Sequence, residues 1–194
     1  MTSADSTTPS TVPRRDLASP PPRWAYWAAH AAALTTLPSG LWRLALAAGL
    51  PVGYSPDAAR ALFDAPGRGS WYLVALSVVL EALALLTLGL VQPWGGVVPR
   101  WVPVLGGKQI PPLAAVIPAA TGTLALTVLW GTVAVSWWFT NGDGALSPPA
   151  RMAVGVLYVP LAAWGPLLGA VTYSYYQRHR SGTQPEATRD VSLD

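Results

Sequence analysis

The sequence predicts an all-α, polytopic membrane protein, in which residues 23–180 form a four-helix transmembrane bundle between two disordered tails. Three observations support this fold class. Of the 194 residues, 52% are hydrophobic and 11% are charged, whereas soluble domains contain about 25% charged residues. The hydrophobic residues are concentrated in four runs, each near the length of about 20 residues that a membrane-spanning helix requires. The basic residues are distributed unequally between the segments that flank these runs, as is typical of membrane proteins with a fixed orientation.

The chain divides into tails and spans by composition. Residues 1–22 are rich in Ser, Thr and Pro, and a segment with so few large apolar side chains is expected to be disordered rather than to act as a signal peptide. Residues 181–194 are polar and are expected to form a second disordered tail. The four spans are predicted at about residues 24–50, 70–92, 113–139 and 152–176.

Proline and glycine predict local irregularities within this plan. Residues 38–40, with the sequence Pro-Ser-Gly, interrupt the first span, and Pro160 and Pro166 are expected to kink the fourth. Between the first two spans, Ser55 can cap a short surface helix and Pro56 can occupy its first position.

The flanking charges predict the orientation. One side of the membrane would carry eight basic residues, namely Arg14, Arg15, Arg23, Arg100, Lys108, Arg178, Arg180 and Arg189. The other side would carry three, namely Arg60, Arg68 and Arg151. Because basic flanks face the cytoplasm, both termini are expected to be cytoplasmic. The abundance of Ala, Gly, Pro and Arg, with a single Lys, is typical of a GC-rich bacterial genome, so the bacterial inner membrane is the expected location.

Small residues repeat along the third and fourth spans at spacings of three and four. In lipid, such residues allow helix backbones to approach closely. The predicted helix-packing residues are Gly155, Ala162, Gly165 and Gly169 in the fourth span, with Thr123, Thr127 and Gly131 in the third.

Glu81 lies in the middle of the second span, where a carboxylate is costly and is expected to face the bundle beside a partner. Ser77 lies one turn before it and can donate a hydrogen bond. Arg43 is the favoured charge partner, because its side chain and that of Glu81 lean toward each other on antiparallel helices. His30 remains a candidate because the first span is interrupted. Arg43 belongs to a small and polar stripe that also contains Thr36, Ser39 and Gly40.

This intramembrane polar cluster has two functional interpretations. A paired acid and base would fix the register of two helices, which favours an accessory or structural membrane component. Alternatively, Glu81 would belong to a proton, ion or substrate pathway in a small transporter or channel subunit. A third possibility is that the boundary of the span is drawn wrongly.

Other functional classes lack their sequence patterns. There is no cysteine, and no His-Glu-x-x-His, nucleophile-elbow or phosphate-loop motif occurs. The sequence therefore predicts no catalytic, cofactor-binding or metal-binding residues, and an enzyme is not expected. The basic residues are scattered, which argues against nucleic acid as a partner. The expected partners are the lipid bilayer and either a second copy of the chain or another membrane protein.

Two segments carry a resemblance. "HAAALTTLPSGLWRLALAAGL" and "PWGGVVPRWVPVLGGKQIPPLAAVIPA" resemble segments of small, uncharacterised multi-spanning membrane proteins of actinobacteria. The likeness covers the chain from about Trp24 to Arg180. It implies an actinobacterial inner-membrane protein, and it implies no substrate or catalytic residue because that family has no established activity.

Overall fold

A computed structural model describes residues 20–96, 111–139 and 144–181. All regular structure within these ranges is helical, which confirms the predicted all-α class. The elements are α1 (Arg23–Leu34), α2 (Leu37–Ala47), α3 (Pro56–Phe63), α4 (Arg68–Gly89), a 3₁₀ turn (Pro93–Gly96), α5 (Pro112–Phe139), α6 (Pro148–Tyr158) and α7 (Leu161–Ser181). Most of the first predicted tail and almost all of the second lie outside the described residues.

Three stretches of the described chain are long and apolar enough to cross a membrane. They are α4, α5 and the segment Pro148–Arg180, which joins α6 to α7. The first predicted span is instead divided into α1 and α2, which contain 12 and 11 residues. Each is shorter than the roughly 20 residues that a crossing needs. The structure therefore does not show four single helices that are each long enough to cross a membrane.

The break between α1 and α2 lies at Thr35 and Thr36, before the predicted interruption at residues 38–40. Pro38 explains the shift, because proline is tolerated in the first turn of a helix but cannot donate a hydrogen bond to the preceding turn. Side-chain hydroxyls bind carbonyls around the break. Thr35 Oγ1 donates to Ala32 O at 2.7 Å, and Ser39 Oγ donates to Thr36 O at 2.9 Å. This replacement of backbone partners is what an apolar environment requires.

The irregularity predicted at Pro160 agrees with the structure, whereas the kink predicted at Pro166 stays a prediction. Val159 and Pro160 separate α6 from α7, whereas Pro166 lies inside α7. The short surface helix also forms as predicted, since α3 begins at Pro56 and Ser55 Oγ accepts a hydrogen bond from Ala58 N at 3.2 Å.

Buried apolar residues form three clusters along the bundle. One joins the start of α1 to the residues after α4 and to the second half of α7, and it contains Ala25, Ala29, Leu90, Val91, Leu168, Val171 and Tyr175. A middle cluster contains Ala32, Ala84, Leu161 and Trp164. The third contains Leu46, Tyr54, Ala59, Ala65, Leu73, Leu146 and Val154. We call the end with the first cluster the α7 end and the end with the third cluster the α3 end.

The arrangement of helices follows from these clusters. α1 contacts both α4 and α7, α2 contacts α4 and α6, and α5 packs along α7 at the edge of the bundle. No residue of α5 is buried. Most of its apolar surface therefore remains outside the described chain's own core, as expected of a helix surrounded by lipid.

Small residues mediate the contact between α5 and α7. A Cβ atom added to Gly165 would collide with Thr127 Oγ1 and lie 2.6 Å from its backbone nitrogen, and one added to Gly169 would lie 2.8 Å from Thr123 Cγ2. Gly155, in α6, meets Trp137 Nε1 in the same way, at 2.5 Å. Ala162 is half-buried. A Cβ on Gly131 would meet no described atom within 4 Å, so this position is not a tight packing contact.

We expect Gly165→Val to destabilise the protein by about 1–3 kcal/mol, because the added side chain overpacks the backbone contact with Thr127. Gly131→Val is the matched control, since it has the same helix-propensity cost without the collision. The measurement is the thermal unfolding midpoint of the purified chain in detergent. Equal shifts for the two variants would contradict the close contact between α5 and α7.

Candidate functional site: the polar cluster at the helix break

Five polar side chains from four parts of the bundle meet beside the break in the first span, and we call them the polar cluster. Thr36 comes from the break itself and Arg43 from α2, two turns further on. Ser77 and Glu81 lie one turn apart in α4, which places them on one helix face. Tyr158 is the last residue of α6. The packing of α2 against both α4 and α6 brings these residues together.

Glu81 is held by a hydroxyl at the break. Its Oε2 accepts a hydrogen bond from Thr36 Oγ1 at 2.9 Å. The same hydroxyl also lies 3.0 Å from Ala33 O, the carbonyl three residues earlier. Thr36 is fully buried and Glu81 is half-buried, so this hydrogen bond forms in a partly buried site.

Arg43 is 3% exposed, and its guanidinium is shared between two helices. Nε donates to Ser77 Oγ at 3.1 Å, and Ser77 Oγ in turn donates to Leu73 O at 2.9 Å. Nη1 lies 3.5 Å from the hydroxyl of Tyr158, and the guanidinium carbon lies 6.0 Å from the centre of that ring. Arg43 thereby connects α2 to α4 and α6.

Two polar atoms of the cluster lie close to the backbone of Gly40. A Cβ atom built on Gly40 would lie 3.0 Å from Glu81 Oε1 and 4.0 Å from Arg43 Nη2. Both atoms are buried and have no hydrogen-bond partner among the described residues. Glu81 Oε1 is a hydrogen-bond acceptor and Arg43 Nη2 is a donor. Because Gly40 has no side chain, both atoms can approach its Cα.

The structure corrects the predicted pairing within this cluster. It brings Arg43, Ser77 and Glu81 together, but Arg43 and Glu81 form no direct ion pair within the described part of the chain. Ser77 lies between the two helices and accepts from Arg43, so it donates to its own helix rather than to Glu81. Thr36, rather than Arg43, is the observed hydrogen-bond partner of the Glu81 carboxyl.

His30 lies outside the cluster in its observed contacts. Its Nδ1 is 2.8 Å from Tyr26 O, one turn earlier in α1, and its ring stacks at 4.2 Å from that of Tyr26. The helix break therefore does not turn His30 toward Glu81. Sequence reasoning placed Thr36 on the polar stripe without identifying it as the partner of the carboxyl, and it missed Tyr158 as a partner of Arg43.

An aromatic cleft of about 300 Å³ adjoins the cluster. Its walls include Trp42, Trp130, Trp137 and Tyr158, and the Tyr158 hydroxyl is the atom that Arg43 approaches. Among the described residues, no group of three His, Cys, Asp or Glu side chains could bind a metal ion. The cluster offers one carboxyl, one guanidinium and three hydroxyls, a set suited to hydrogen bonding and to charge compensation.

Comparisons with protein-family models, with curated proteins and with solved structures returned no match. The resemblance to actinobacterial membrane proteins stays a prediction from the sequence.

We expect Thr36→Val to destabilise the protein by about 1–3 kcal/mol, because Glu81 Oε2 loses its donor in a partly buried site. Thr132→Val is the matched control, since the hydroxyl of Thr132 bonds only to carbonyls of its own exposed helix. Unfolding midpoints in detergent measure the difference. A Thr36→Val midpoint equal to that of the control would show that the hydrogen bond to Glu81 contributes no stability.

Proposed function

We propose that the chain is an integral membrane protein of four crossings in a bacterial inner membrane, with α1 and α2 together forming the first crossing. The distribution of the core supports this proposal. The start of α1, the end of α4 and the end of α7 share the α7 end, while the end of α2 and the start of α4 share the α3 end. A chain that alternates between two ends in this way returns to the side on which it began. The unequal basic flanks favour the cytoplasm for that side.

Within this setting, we propose that the polar cluster is a structural clamp and that the protein is an accessory or structural component of the membrane. The observation that carries this proposal is the hydrogen bond from Thr36 to Glu81. Neither α1 nor α2 is long enough to cross alone, so the junction between them needs partners that hydrocarbon cannot supply. The hydroxyls of Thr35 and Ser39 bind carbonyls at this junction. The clamp adds tertiary contacts, from Thr36 to Glu81 of α4 and from Arg43 to α4 and α6.

The topology has a direct test, because the chain contains no cysteine and single cysteines can be introduced without background. Arg23→Cys and Arg180→Cys mark the two ends of the described bundle, and Asp57→Cys marks α3; all three positions are exposed. In spheroplasts, a membrane-impermeant maleimide is expected to label Asp57→Cys at once. The other two variants are expected to react only after permeabilisation. Labelling of Arg23→Cys and Arg180→Cys from different sides would contradict an even number of crossings.

The clamp predicts coupling between its acid and its base. Glu81→Gln and Arg43→Gln should each destabilise the protein, because each leaves the other group without a compensating charge. The double variant should lose less stability than the two single losses added together, with a coupling energy of about 0.5–3 kcal/mol. Unfolding midpoints of the four proteins measure the cycle, and Arg60→Gln, at an exposed arginine of α3, is the control for loss of charge. Strict additivity would contradict charge compensation between Arg43 and Glu81 within the clamp.

One observation favours a second function, that of a small transporter or channel subunit using Glu81. Glu81 Oε1 and Arg43 Nη2 have no described hydrogen-bond partner and lie close to Gly40. Tyr158 joins the cluster to the aromatic cleft. In this alternative, a permeating ion or substrate would contact these two polar atoms. Proteoliposomes that enclose a pH-sensitive dye distinguish the two functions. The clamp predicts no proton flux, whereas the alternative predicts a flux that Glu81→Gln abolishes without unfolding the protein.

A further inference from the structure

A second cavity, of about 600 Å³, lies between α4 and α5. We call it the α4–α5 groove. Leu83 and Leu86 form one wall, Ala119 and Gly122 form the other, and Trp164 of α7 forms part of the floor. Leu86 is 62% exposed, so the wall is open to the surroundings of the bundle. The lining is almost entirely apolar, which favours a hydrocarbon ligand.

The length of the groove matches one leaflet of a membrane. Along α5, its lining residues run from Ala114 to Leu126, a distance of about 18 Å at the rise of an α-helix. Half of a hydrocarbon core is about 15 Å thick. The floor residue Trp164 belongs to the middle core cluster and Leu90 to the cluster at the α7 end. The groove therefore extends from mid-bundle to one end.

Basic side chains lie at that end of the groove. Leu90 lines the groove, and its carbonyl accepts a hydrogen bond from Arg178 Nη2 at 2.9 Å. The last turn of α7 contains Arg178, His179 and Arg180. Trp94, which also lines the groove, is 51% exposed there, and tryptophan is enriched at the level of lipid headgroups.

We propose that the α4–α5 groove binds one acyl chain of an anionic phospholipid, taken from the leaflet at the α7 end, with the headgroup phosphate beside Arg178. The apolar walls take the hydrocarbon, and the arginines of the last turn of α7 select negative charge over a zwitterionic headgroup. The inference rests on the proposed membrane setting and names a ligand for it.

The test uses the full chain in nanodiscs of equal parts phosphatidylcholine and phosphatidylglycerol, with lipids retained after release counted by native mass spectrometry. The wild type is expected to retain one phosphatidylglycerol. Gly122→Leu should weaken retention by about tenfold, the loss expected when about two methylene groups are displaced from the groove. Gly131→Leu, the same change in the same helix where a Cβ meets no described atom, should retain the lipid like the wild type.

A second groove variant with its own control makes the result independent of how well Gly122→Leu folds. Leu86→Trp fills the groove from α4, and Val78→Trp is its control at an equally exposed position, 62%, outside the groove lining. Arg178→Gln should leave acyl binding in place and reduce the preference for phosphatidylglycerol over phosphatidylcholine by about fivefold.

The outcomes separate the groove from the membrane setting. Incorporation into nanodiscs with no retained lipid, or with retention unchanged in both groove variants, would overturn the proposal while leaving the membrane placement intact. The same result would follow if another part of the chain or a second copy covered the groove. Failure of the wild type to enter nanodiscs at all would overturn both.

Discussion

The hydrogen bond between Thr36 and Glu81 is the contact on which the first half of the structure depends. It joins a break in a helical segment to the middle of α4, where a carboxyl in hydrocarbon costs about 2.5–3.5 kcal/mol on insertion scales. The carboxyl of Glu81 gains a hydrogen-bond donor, and the break between α1 and α2 gains a contact that fixes it against α4. Arg43 extends the same contact to α6 through Tyr158. The two short helices α1 and α2 can then act as one element.

The second half of the bundle is stabilised differently. α5 has no buried residue, and its contact with α7 depends on Gly165 and Gly169 meeting Thr127 and Thr123. Close backbone approach of this kind is a main source of attraction between helices in lipid, where the hydrophobic effect between them is absent. One side of α5 remains separated from α4, and the α4–α5 groove lies in that gap. Polar contacts thus hold α2 against α4 and α6, whereas small-residue contacts hold α5 against α7.

The sequence was sufficient for the helical class, for α3 with its Ser55 cap and for three apolar stretches, because these follow from composition and local chemistry. It also placed Glu81, Arg43 and Ser77 in one cluster, because polar side chains in an apolar span are expected to turn toward the interior of the bundle. The hydrogen-bond partners could not be predicted. They depend on a shift of the break by about one turn, which brings Thr36 rather than Arg43 to Glu81. They also depend on the position of Tyr158, 115 residues from Arg43 along the chain.

The most direct test of this account is amide hydrogen exchange of the wild-type chain in nanodiscs, comparing residues 35–43 with residues 77–84 of α4. If the clamp holds the break closed, both stretches should exchange slowly and to a similar extent. The amides of Thr35 and Gly40, on the two sides of the break, are hydrogen-bonded to Ala31 O and Thr36 O. Fast, loop-like exchange over residues 35–43 beside a protected α4 would contradict the account. It would mean that the contact between Thr36 and Glu81 does not organise the first crossing.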